Sequence, residues 1–144
     1  MTTYQIACNI ATTDSSAKLG LEIWLDNRSL WSSDHITEPT TLTFDIEEDE
    51  ADHELQFVMK NKSSDHTKID ENNNIISDAR LIISQLAFDE IALGQILIDL
   101  STYTHNFNGT QDTIIDKFYG EMGCNGTVSL KFSTPIYLWL LENM

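Results

Sequence analysis

The sequence predicts an all-β domain, an antiparallel β-sandwich of jelly-roll type that ends in a short C-terminal helix or one extra strand. Three observations carry this. Apolar and polar residues alternate with period two in several short runs. Turn-forming residues separate those runs. No long stretch shows the 3.6-residue period of an amphipathic helix. Tyr4 to Ile10 alternates loosely and reads as the first strand. In Gly20 to Leu25, Leu21 and Ile23 alternate with Glu22, and Trp24 and Leu25 follow together before a turn at Asp26-Asn27. Leu30-Trp31 resumes beyond the turn. Leu42, Phe44 and Ile46 face one way, and Thr41, Thr43 and Asp45 the other. Leu55, Phe57 and Met59 form the core face of the next strand. Such strands belong to antiparallel sheets with one wet face.

Glu47 to Glu54 holds six acids in eight residues, a density that keeps this tip in water. Residues 61–78 read as a long polar connection. Leu81 to Phe88 is a continuous apolar run with a β-branched pair, which favours a central strand. Gln95 to Leu100 reads as another strand or edge segment, and Thr102 to His105 has β character. Two Asn-Gly-Thr units, at 108–110 and 125–127, signal hairpin turns because both Asn and Gly accept positive φ. Thr127 to Phe132 alternates cleanly. Thr134-Pro135 then offers a helix cap and a first-turn proline. Ile136 to Asn143 also fits a strand, because Ile136, Leu138 and Leu140 alternate with Tyr137, Trp139 and Leu141.

The chain has 144 residues, enough for one domain with a real core. It divides into a sandwich at 1–134 and an apolar docking segment at 135–144. Acids outnumber bases 23 to 8, for a net charge of −15. That balance argues against nucleic acid and anionic lipid as partners, since both need a cationic surface. No run reaches membrane-spanning length. The start lacks the basic and apolar regions of a signal peptide, so synthesis in a cytoplasm is expected. Cys8 and Cys124 are then expected as reduced thiols, with a disulfide between the two ends as the alternative.

Catalytic signatures are missing from the sequence. It has no GxSxG, no HExxH and no Gly-rich phosphate loop, and no enzymatic activity is expected. Three aromatics are candidates for stacking on a ligand: Trp24, Trp31 and Tyr103. Asp70, Asn72 and Asn74 supply oxygen at alternating positions, as calcium loops do. An EF-hand fails, because Ile75 stands where glycine belongs and Leu81 where the bidentate glutamate belongs. An irregular calcium site would draw on Asp65, Asp70, Asp78 and Asp89. Apart from that optional calcium, no cofactor is expected. The most apolar stretch contains Ile136, Tyr137, Leu138, Trp139, Leu140 and Leu141, a candidate assembly interface and the basis for expecting an oligomer.

Short motifs carry a family resemblance over roughly residues 20–100. Leu21-Glu22-Ile23-Trp24-Leu25-Asp26-Asn27, followed by Leu30, resembles the strand, turn and strand of calcium-dependent xylan-binding carbohydrate-binding modules. His53-Glu54-Leu55-Gln56-Phe57 is similar to a His-x-Leu strand of the same modules. Asp65-His66-Thr67 and Phe88-Asp89-Glu90-Ile91 resemble small jelly-roll virion proteins of tailed bacteriophages, in particular those of marine cyanobacteria. The phage resemblance implies a non-enzymatic fibre, decoration or tail-associated subunit. It would be made in the host cytoplasm, reside in the virion, and join other virion proteins through residues 135–144. The module resemblance implies the alternative, recognition of a polysaccharide glycan with or without calcium. Those modules carry calcium ligands near their C-terminal end, whereas this end is apolar and the acids are central.

Overall fold

The computed structural model describes residues 3–62, 67–69, 71–72, 75–106, 109 and 111–144. Two antiparallel sheets enclose one core. The first is built on β1 (Thr3–Thr12), flanked by β4 (Thr40–Glu47) and β8 (Leu81–Phe88). The short strands β9 (Ile91–Ala92) and β12 (Glu121–Met122) pair with β8. The second sheet has six strands. Their order is β11 (Ile114–Lys117), β10 (Thr102–His105), β13 (Gly126–Ser133), β5 (Asp52–Lys60), β2 (Gly20–Leu25) and β3 (Arg28–Ser33). This is the β-sandwich that the alternation predicts.

The core follows from the period of two. Tyr4, Ile6, Cys8 and Ile10 point inward from β1, and Leu81, Ile83, Leu86 and Phe88 from β8. Leu21, Ile23 and Leu25 face them from β2, Leu55, Phe57 and Met59 from β5, and Val128, Leu130 and Phe132 from β13. On β4, Ile46 is buried while Leu42 and Phe44 are half-buried against the same core.

The C-terminal segment resolves to a helix, α2 (Ile136–Asn143). Ile136, Trp139 and Leu140 are buried at helical spacing. Trp139 packs on Phe88 and Phe132, with ring centroids 5.8 and 6.0 Å apart, and closes one end of the sandwich. Residues 135–144 therefore share the core of residues 1–134 along one helix face. Tyr137, Leu138 and Leu141 remain exposed.

Three expectations are corrected. Gln95–Leu100 forms a helix, α1, rather than a strand. The Asp89-Glu90 turn folds β9 back on β8, and Gly94, at φ 54°, ends the extended chain. Leu97 then turns inward, and Gln95 donates to Asp99 one turn on at 3.0 Å. Asn125-Gly126 is not a positive-φ turn. The Asn125 side chain instead accepts from the Lys62 amide and donates to the Lys62 carbonyl, both at 2.9 Å. Gly126 opens β13, where a Cβ would lie 2.4 Å from the Thr104 carbonyl oxygen. The 61–78 connection contains a hairpin, β6 (Thr67–Ile69) with β7 (Ile75–Asp78). The other Asn-Gly-Thr unit lies largely outside the described residues.

Candidate functional site

The wet face of the six-stranded sheet is the broadest arrangement of ligand-capable side chains among the described residues. Inward residues alternate with outward ones, so register places the outward ones in rows across the strands. One row reads Ser29, Trp24, Gln56, Ser129, Thr102 and Lys117. The next reads Ser32, Glu22, Val58, Thr127, Thr104 and Ile115. At roughly 4.8 Å per strand, each row is about 24 Å long.

Trp24 is the half-buried aromatic of this face. Its indole nitrogen donates to Glu22 Oε1 at 2.9 Å. Glu22 Oε2 accepts from Lys60 Nζ at 3.0 Å, and Lys60 also pairs with Asp34 at 2.8 Å. These contacts fix the indole edge. The Lys60 hydrogen bond, then that of Trp24, holds the Glu22 carboxyl below its usual range. Asp34, then Glu22, raises Lys60. Ser129 donates to Glu54 at 2.6 Å on the same face. The outward strand positions carry Lys60, Lys117 and Lys131 against Glu22, Asp52 and Glu54. The face thus escapes the acidity of the chain as a whole.

The other two stacking candidates do not reach it. Tyr103 is buried on the inner side of β10, and its hydroxyl donates to the Cys124 carbonyl while accepting from the Cys124 amide at 2.9 Å. Trp31 lies opposite Ile23 and packs against the core, because a bulge between Ile23 and Trp24 shifts the register of β3.

Of the calcium candidates, the two described ones, Asp78 and Asp89, are not brought together. Asp65 and Asp70 lie outside the described residues. Asp78 pairs with Lys62 Nζ at 2.5 Å, just before β8. Asp89, just after it, accepts from the Gln5 amide at 2.6 Å and from the Tyr137 hydroxyl at 2.7 Å. Eight strand residues separate the two, roughly 25 Å, so one ion cannot bind both. Among the described residues no three His, Cys, Asp or Glu side chains form a metal cluster. Asp78 and Asp89 therefore do not share a calcium site.

A second constellation has no forewarning in the sequence. At the end closed by α2, His53 lies between two carboxylates. Its Nδ1 contacts Asp26 Oδ2, and its Nε2 is 2.6 Å from Asp49 Oδ1. The ring also stacks on Phe132, with centroids 5.4 Å apart. Thr134 donates to Asp49 at 2.8 Å. His53 lines two clefts of about 480 and 470 Å³.

No protein-family model and no curated protein matches the sequence. Two solved structures match its fold. One is vCBM60 in complex with galactobiose, with a TM-score of 0.51 and 9% identity over 88% of this chain and 96% of that one. The other is the selenomethionine form of vCBM60, from work linking two families of calcium-dependent carbohydrate-binding modules by circular permutation. It has the same score and identity and covers 88% of this chain and 89% of that one. At this identity the likeness shows the fold alone, a β-sandwich shared with carbohydrate-binding modules. Nothing in these comparisons points to a phage particle.

Proposed function

We propose that this protein is a non-catalytic carbohydrate-binding module that takes a polysaccharide across the wet face of its six-stranded sheet. The observation that carries the reading is Trp24, an aromatic held on an open face among rows of hydroxyl and amide groups. An indole face offers apolar area to the C–H side of a sugar ring. Gln56, Ser129, Thr102, Thr127 and Thr104 supply donors and acceptors for the sugar hydroxyls. Lysines and glutamates on one face leave little net field, which suits a neutral ligand. The match to vCBM60 in complex with galactobiose supports the same reading at the level of fold.

The test is binding to immobilised polysaccharides, xylan and galactan among them, with Trp24→Ala as the variant. Binding by the native chain and its loss in a folded variant would support the proposal. No retention on any polysaccharide in a multivalent format would overturn it. Repeating the measurement with calcium and with EDTA shows whether the Asp65–Asp70 segment adds a cation.

A second reading rests on α2, where Leu138 is 54% and Leu141 71% exposed. In that reading the helix is an assembly contact with another protein, as the sequence leads one to expect of a virion subunit. Its test is solution mass by light scattering, where an oligomer lost on Leu141→Asp would support it.

A further inference from the structure

We infer that His53 is the pin of a pH-operated latch that holds the acidic tip, residues 47–50, against the end of the sandwich. Both ring nitrogens lie against carboxylate oxygens, Nδ1 against Asp26 and Nε2 against Asp49. A neutral imidazole carries one N–H, so this arrangement requires the doubly protonated ring. The two carboxylates are not equivalent. Asp26 is tied independently, because its Oδ1 accepts from the Glu54 amide at 2.8 Å and its own amide donates to the Glu54 carbonyl at 3.0 Å. Asp49 is tied to the body of the sandwich by two side-chain donors, His53 and the Thr134 hydroxyl.

Thr134 makes the release cooperative. Its Oγ1 is 2.8 Å from Asp49 Oδ1 and 3.3 Å from His53 Nε2. Once Nε2 loses its proton it becomes an acceptor, and the threonine hydroxyl can turn its hydrogen from Asp49 to the ring. Asp49 then loses both donors in one step. Ala51 stays tied to Thr134, because its carbonyl accepts from the Thr134 amide at 3.0 Å and its amide donates to the Thr134 hydroxyl at 3.2 Å, so the hinge falls before it. Four consecutive acids, Glu47 to Glu50, then repel one another and the Asp26 carboxylate.

The charged surroundings set the direction. Asp26 and Asp49 contact the ring, and Arg28 of the β2–β3 hairpin with Asp45 and Glu47 of β4 line one cleft beside it. Asp52 and Glu54 of β5 and Lys131 of β13 line the other cleft from the outward side of the sheet. The Tyr4 hydroxyl of β1 lies near Asp49 and Asp26, and α2 contributes the uncharged Trp139. Carboxylates dominate. Burial works against the ring's charge, but the hydrogen bonds to Asp26 and Asp49 outweigh it and place the His53 pKa above 6.5. The Thr134 hydrogen bond, then that of His53, lowers the pKa of Asp49. A raised histidine stabilises the closed form below 6.5, and that contribution is lost as pH rises through its folded pKa. A lowered aspartate stabilises it above about 3.8, and that contribution is lost as pH falls through its folded pKa. The latch is therefore closed at mildly acidic pH and opens on the alkaline side.

The experiment is NMR of the native chain across pH 5–9. It reads the His53 ring nitrogens and the backbone nitrogen relaxation of residues 48–50. The expected result is titration above 6.5 to the Nδ1–H tautomer, with the backbone order of 48–50 falling in step while Val58 is unchanged. Asp49→Asn, at a position half exposed, should keep the fold and abolish the step. Thr134→Val should shrink it. A His53 pKa at or below 6.5, the Nε2–H tautomer, backbone order at 48–50 indifferent to the titration, or a step surviving in Asp49→Asn would each overturn the latch.

Discussion

The outer faces of the two sheets obey the same alternation and expose different chemistry. On the five-stranded sheet, β1 turns out Gln5, Ala7, Asn9 and Ala11, β4 turns out Thr41, Thr43 and Asp45, and β8 turns out Ile82, Ser84 and Ala87. None is aromatic. Three of its polar groups bond one another: Thr41 donates to Asn9 at 2.8 Å, and Asn9 donates to Gln85 at 2.8 Å. The six-stranded sheet carries networks of its own, and there Trp24 interrupts the polar set, with Glu22 at its edge and Lys60 on Glu22. What separates the two faces is the ring, which offers a ligand apolar area amid hydroxyls.

The largest expected effect is on binding. Trp24→Ala should weaken polysaccharide binding tenfold or more, about 1.4 kcal/mol, measured by affinity electrophoresis. Its stability should fall modestly, by about 1 kcal/mol, because the half-buried ring gives up its hydrogen bond to Glu22. Trp31→Ala is the contrast. That ring packs on the core, so denaturant titration should show a loss of a few kcal/mol before any change in binding. A smaller effect is expected for Asn9→Ala on the opposite face, about 1 kcal/mol of stability from the lost amide contacts and no change in binding. Smallest is the pH effect on the Trp24 edge. The lowered Glu22 pKa stabilises the network above about 4.5, a contribution lost as pH falls through the folded pKa. Trp24 fluorescence, isolated by comparison with Trp24→Ala, should therefore stay constant down to pH 4.5 and change only below it.

Much of the sandwich was legible because burial acts locally on alternate residues. Leu55, Phe57 and Met59 announced their own face. Trp24 was legible for the opposite reason, as a large apolar residue where the wet face called for a polar one. The same alternation held a signal for Tyr103, since Thr102 and Thr104 occupy the outward positions. Trp31 was hidden by a bulge that no spacing in the sequence marks. Gln95–Leu100 misled because its Ile and Leu residues suit a strand, and the strand it would have joined ends at a positive-φ glycine. His53 was illegible as a centre. Its partners lie 27 residues upstream, four upstream and 81 downstream, and only the closed sandwich brings them together.

The proposed binding face and its opposite should differ in use. The most direct measurement is NMR chemical-shift mapping on the native chain with galactobiose and with xylo-oligosaccharides. Perturbations are expected at Glu22, Trp24, Gln56, Ser129 and Thr102, with Ala7, Asn9, Thr43 and Ser84 silent. Perturbations confined to the five-stranded face, or none with any oligosaccharide at millimolar concentration, would contradict the proposed binding face.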